Sequence, residues 1–75
     1  MRHARMRLAE TFGKNVRKAR LDKGMTLEGL AHEVGLAYSY VGGIERGSKN
    51  PTLDVVEKIA SVLKVSPLHL LSDSG

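Results

Sequence analysis

The strongest constraint on this chain is how often its apolar periodicity is cut. Gly24, Gly35, Gly47 and the Ser66-Pro67 pair punctuate the sequence, and the segments between them are short. Helices of a few turns are not stable alone in water, because the nucleation cost is recovered by too few hydrogen bonds. The chain must therefore fold as short helices packed on one another. No period-two alternation competes with the helical pattern, and there is no internal repeat.

The segments can be read one by one. Leu8, Phe12, Val16 and Ala19 recur at i, i+4, i+8 and i+11 and predict a first helix over 8–23, with Lys14, Arg17 and Lys18 off its apolar stripe. Gly24 stops it, with Lys23 at the negative end of the helix dipole. Thr26 caps a second helix whose inward face is Leu27, Leu30, Ala31 and Val34, and Gly35 ends it with φ > 0. A third helix covers 38–46 with Val41 and Ile44 inward. It holds Gly42 and Gly43, each costing about 1 kcal/mol relative to alanine. Two such residues call for a close approach, either to another backbone or DNA, or to a helix packed against them.

Gly47 closes that helix and SKNP forms a loop. Thr52 caps a fourth helix, with Asp54 near its positive end and Leu53, Val56, Ile59, Ala60 and Leu63 inward, broadened by Val55 and Val62. Ser66 before Pro67 is a cap followed by a first-turn proline, so a fifth short helix carries Leu68, Leu70 and Leu71. The fold class is all-α: five helices around one core over 8–71. A basic arm at 1–7 and a tail at 72–75 are expected to be mobile.

Seventy-five residues suffice for one domain. A domain this small buries only about 60% of the surface of its unfolded chain. Without cysteine, no disulfide or thiolate metal site can staple it. Only 4% of its residues are aromatic, so its stability rests on packed aliphatic side chains, helped by dimerisation. No apolar stretch approaches the roughly 20 residues of a membrane span, and no apolar region follows the basic start as in a secretory signal. The expected address is the cytoplasm.

Charge is unevenly placed. Residues 1–25 carry eight Lys/Arg against two acids, whereas the rest of the chain is slightly acidic. A basic block beside an acidic body suggests an anionic partner on one side, with a solvated helix face as the plain alternative.

Two short helices joined by a glycine turn, TLEGLAHEVGLAYSYVGGIERG at 26–47, form a helix-turn-helix. With GIERG and the NPT that follows it, the chain over about 10–71 resembles the Xre/Cro-type, lambda repressor-like regulators. Residues 35–71 look especially like the controller proteins of restriction–modification systems. The resemblance implies a sequence-specific regulator that binds a near-palindromic double-stranded operator as a homodimer, with the second motif helix in the major groove, N-terminal end first.

That carry-over makes Tyr38, Ser39, Tyr40, Gly42 and Gly43 the base-reading set, and Arg17, Thr26, Arg46, Ser48, Lys49 and Asn50 the phosphate-binding candidates. Thr26 serves as a cap and at a helix N-terminus suited to anions, and the two roles are compatible. Leu27 and Tyr38 stand where relatives often place glutamine, and the two glycines provide no side chain. Hydrogen-bonded base readout is therefore expected to be thin, with shape readout or Arg46 and Lys49 carrying more of the specificity. By the same resemblance Arg20 and Glu45 form a partly buried salt bridge between the first and third helices.

Other classes fit less well. His3, His32 and His69 are scattered, and Glu28 with His32 supplies only two ligands on one face, so no metal, cofactor or catalytic site is expected. A membrane-binding first helix would need the apolar face that the core requires, and it has no tryptophan. An antitoxin or other protein-interaction module on the same fold is the runner-up, but the chain has little room for a separate partner-binding extension. No small-molecule pocket is apparent. For the dimer surface the expectation is Val65, Leu68, Leu70 and Leu71, with closure of the chain's own core as the alternative.

Overall fold

The structure is a computed structural model in which residues 4–73 are described, with side chains from Leu8 onward. Five helices follow in order: α1 (Ala4–Asp22), α2 (Leu27–Val34), α3 (Tyr38–Glu45), α4 (Leu53–Leu63) and α5 (Pro67–Leu71). Among the described residues there is no strand. The segment expected as a mobile arm is helical from Ala4, which lengthens α1 beyond the predicted start at Leu8. Residues 1–3 lie outside the described residues, as do 74 and 75 of the expected tail.

Capping chemistry sets most of the boundaries. The hydroxyl of Thr26 accepts from the Gly29 N–H at 2.9 Å, that of Thr52 from Val55 at 3.2 Å, and that of Ser66 from Leu68 at 3.1 Å. Each satisfies one of the donors that a helix start leaves without a partner. Gly35 ends α2 at φ 81°, where a glycine pays no Cβ penalty, and the Leu36 N–H closes back on the Ala31 carbonyl. The helix α3 is the exception: its N-cap is Ala37, which makes no side-chain hydrogen bond.

The core takes side chains from every helix: Phe12 and Val16, Leu30 and Val34, Val41 and Ile44, Val56, Ile59 and Leu63, and Leu70. Each buried aliphatic or aromatic side chain is worth about 1.5–3 kcal/mol over leaving it in water. Two expectations need correction. Leu8, placed on the apolar stripe of the first helix, is 46% exposed, because the core ends one turn further along at Phe12. Leu70, expected at a dimer surface, is fully buried and closes the core of its own chain.

Two contacts fix how the helices meet. A Cβ at Gly13 would land on the Ile44 carbonyl oxygen and within 2.8 Å of that of Glu45, so α1 and α3 touch backbone to backbone there. Two residues further along α1 the Asn15 amide donates to the carbonyls of Leu70, at 2.9 Å, and Ser72, at 2.8 Å, tying the end of α5 to α1.

Candidate nucleic-acid interface

The pivot of the site is an ion pair. Arg20 follows Phe12 and Val16 at the spacing of the core-facing stripe of α1, so its side chain runs inward with them. Its guanidinium donates from Nε to Glu45 Oε2 at 2.8 Å and from Nη2 to Oε1 at 3.0 Å, and from Nη1 to the Met25 carbonyl at 2.9 Å. Both side chains are at least nine-tenths buried. The two-pronged hydrogen bonding to Glu45 raises the Arg20 pKa above its already high ordinary value, against the opposing effect of burial. A bidentate pair with a third bond to backbone fixes direction as well as distance. It joins α1, the turn before α2 and the end of α3 at one point.

With its C-terminal end held there, α3 presents its N-terminal turn outward. Tyr38 is 56% exposed, Ser39 is exposed and Tyr40 is half-buried against the core. Of the residues expected to read bases, Gly42 and Gly43 require correction, for both are buried by the chain's own side chains. A Cβ at Gly42 would stand 3.3 Å from Arg46 Nη1 and 3.4 Å from Leu27 Cδ2. A Cβ at Gly43 would stand 2.8 and 2.9 Å from Lys49 Cγ and Cε, and 3.3 Å from Ser48 Oγ. Neither glycine offers bare backbone to a base edge. The approach they permit is that of Leu27 and of two cations.

The loop after α3 is fastened at the same place. The Ser48 N–H donates to the Gly43 carbonyl at 3.0 Å and its hydroxyl donates to the same oxygen at 3.1 Å. Arg46, Ser48 and Lys49 are exposed and approach the last turn of α3, Arg46 at Gly42, which Leu27 of α2 also approaches, and Ser48 and Lys49 at Gly43; Thr26, before α2, is exposed as well. The other two phosphate-binding candidates stand apart from this group. Arg17 lines a shallow groove on α1 with Lys14, Lys18 and Leu21, bounded by Glu45. Asn50 borders an apolar groove formed by Leu8, Phe12, Pro51, Leu53 and Leu71.

Sequence reasoning missed Gly13, Asn15 and the use of the glycine pair. The Gly13 contact links residues far apart in the chain, and a single glycine inside a helical pattern carries no mark of what it meets. The Arg20 spacing was legible after the fact: a charged residue at a core-facing register requires a buried partner. Among the described residues no group of three or more His, Asp or Glu side chains is placed to hold a metal, and no helix is long and apolar enough to cross a membrane.

Comparison with known proteins places this geometry in context. The helix-turn-helix family profile matches residues 16–70. Control protein C.BamHI of Bacillus amyloliquefaciens is 48% identical over 61 residues, covering 80% of this chain and 75% of that protein. The crystal structure of the restriction–modification controller protein C.AhdI from Aeromonas hydrophila superposes with a TM-score of 0.79 at 42% identity, covering 83% of this chain and 94% of that one. SinR, described as the master regulator for biofilm formation and solved in complex with DNA, superposes with a TM-score of 0.78 at 39% identity over 81% of this chain and 98% of that one.

Proposed function

The chain belongs to the helix-turn-helix family of Xre-type DNA-binding transcriptional regulators, and on that premise we propose that it binds a near-palindromic operator as a homodimer, with α3 as its reading helix. The observation that carries this reading is the cluster on α3. Tyr38 and Ser39 face outward at the helix start, while Arg46 and Lys49 fold over the same short helix from its far end. An outward-facing N-terminal turn is what entry into a major groove demands, and Arg46 and Lys49 add positive charge over the last turn of the same helix. Thr26 and Ser48 serve as phosphate contacts that set position without reading sequence, with Arg17 and Asn50, which stand apart from the cluster, as further backbone contacts. The protein then works in the cytoplasm, on nucleoid DNA, and the similarity to C.BamHI and C.AhdI favours the controller of a restriction–modification system.

One reading helix covers half a site, so specific binding calls for a two-fold pair with half-sites about 34 Å apart. The pairing surface we propose is Leu68 with Val65 and Leu71, extended by Leu53. Leu53 and Leu68 are each more than three-quarters exposed, apolar area that pairing would remove from water. Leu70 is omitted because it is spent on the core.

Selection from random double-stranded DNA at two salt concentrations, with analytical ultracentrifugation of the protein and its complex, tests both parts. The expected outcome is a two-fold symmetric site bound by two chains, with affinity falling steeply as salt rises. An absence of enriched sequence at either salt would leave a non-specific binder, and a single chain on an asymmetric site would remove the dimer.

A further inference from the structure

Gly42 and Gly43 are unusual residues to find side by side in an eight-residue helix, since glycine is among the poorest helix formers. The two do not have one cause. At Gly42 part of the neighbourhood is another helix, through Leu27 of α2. At Gly43 the three nearest atoms that a Cβ would meet all belong to Lys49 and Ser48 of the loop that follows. That loop is held on the Gly43 carbonyl by both the backbone and the hydroxyl of Ser48. Helix-on-helix packing therefore accounts for part of the contact at Gly42, whereas the closest approach at Gly43 is that of the loop.

Position matters as much as space. Gly43 lies four residues after Ser39, so the two share one face of α3. The stem of Lys49, crossing Gly43, lies on the face that carries Ser39, where a helix-borne side chain would otherwise stand.

We infer that Gly43 is a positioning residue for sequence recognition: by lacking a side chain it lets Lys49 of the loop lie across the reading face of α3 and place its ammonium beside Ser39, as a donor to the O6 and N7 acceptors of a guanine. This rests on the operator reading above. The ammonium supplies rotatable donors and charge, and guanine presents two acceptors on its major-groove edge. The loop thus provides the base contact that the helix itself lacks.

The test is a double-variant cycle of Gly43→Ala and Lys49→Met, measured on the selected operator and on operators with one guanine of each half-site replaced. Alanine at 43 meets the flexible stem of a lysine rather than backbone, so the helix persists with a melting temperature equal to or above that of the parent chain. Each single variant is expected to lose about 10-fold in affinity for the selected operator, within the range of one base contact, and to lose preference for one particular guanine. In the Lys49→Met background Gly43→Ala is expected to change nothing further. Equal losses for Gly43→Ala with and without Lys49 would overturn the inference. So would undiminished discrimination in Gly43→Ala, or a Lys49→Met loss that is uniform over all sequences, the mark of a phosphate contact. A parent chain that binds DNA without sequence preference would overturn the operator reading and this inference with it. Normal parent selectivity with an additive cycle would overturn this inference alone.

Discussion

Helices α2 and α3 have the same length and are joined by one turn, yet they are built in opposite ways. The first has a threonine cap, an acid in its first turn, three buried aliphatic residues and a glycine at its end in the left-handed conformation. Its own sequence specifies it. The second has alanine at its N-cap, no acid in its first turn and two glycines in its last. What keeps it helical and oriented comes from elsewhere: the backbone contact at Gly13, the Arg20–Glu45 pair, Leu27 of α2 and the Ser48 bonds to Gly43. A helix specified by its neighbours is free of the residues that would specify it alone. Its outer surface is then available for recognition, and its stability is lent by the rest of the domain.

The comparison breaks most severely at the ion pair. Arg20→Met leaves Glu45 buried without its partner and is expected to cost about 3–5 kcal/mol, a large share of the roughly 4–11 kcal/mol that a domain of this size holds in total. Arg20→Met with Glu45→Leu removes both charges and should restore most of that loss, since apolar replacements of a whole buried pair are often neutral or stabilising. Urea denaturation of the three variants is the check. A double variant as unstable as the single one would mean that α3 depends on the geometry of this pair and not on its charge balance. Titration offers no route to the same break through Arg20, whose pKa is raised above an already high value: the pair's contribution from that side persists throughout the folding range and would fade only in strong alkali.

Next in size is Gly13→Ala. The new Cβ meets backbone oxygens of α3, which cannot turn aside as a side chain can. Overpacking of this kind costs up to about 3 kcal/mol. The better helix propensity of alanine returns about 1 kcal/mol, leaving a net loss of about 2 kcal/mol. The loss should appear in thermal melts followed by circular dichroism, together with weaker DNA binding at temperatures where the variant is still folded. Unchanged binding by a fully folded Gly13→Ala protein would show that α3 takes its bearing from the ion pair alone.

How much of this was legible in the sequence follows the same division. Thr26, Gly35, Thr52 and Ser66-Pro67 mark helix ends through local chemistry, and they stand where the periodicity predicts them. The beginning of α1 was less legible, since residues 4–7 follow no apolar stripe and yet continue the helix. Leu70 and Leu68 are indistinguishable by composition. Only the packing of a five-residue helix decides that the first is buried and the second exposed. The glycine pair in α3 was visible as an anomaly; Arg46 lies over Gly42 as its neighbour four residues on, but Lys49 reaches Gly43 from a loop whose path no local rule sets. The Arg20–Glu45 pair was available through resemblance alone, because its partners are separated by α2 and two turns.

The smallest effect separates the two roles of a threonine. Thr26 and Thr52 make the same capping bond at the starts of α2 and α4, and both are exposed. Replacing either by alanine should therefore cost about 1 kcal/mol of stability, the usual value of a lost N-cap. If Thr26 also stands beside DNA, its replacement should weaken operator binding beyond what the loss of fold explains, and the Thr52 variant should not. The measurement is affinity at a temperature where both variants are more than nine-tenths folded, so that the shared loss of stability drops out. A lower affinity for Thr26→Ala at every operator sequence would fit a phosphate contact, which supplies binding without discrimination. Equal affinities would reduce Thr26 to a cap. The helix start without a side-chain cap in the motif would then be that of α3, where the Ala37 methyl cannot accept an N–H from the first turn.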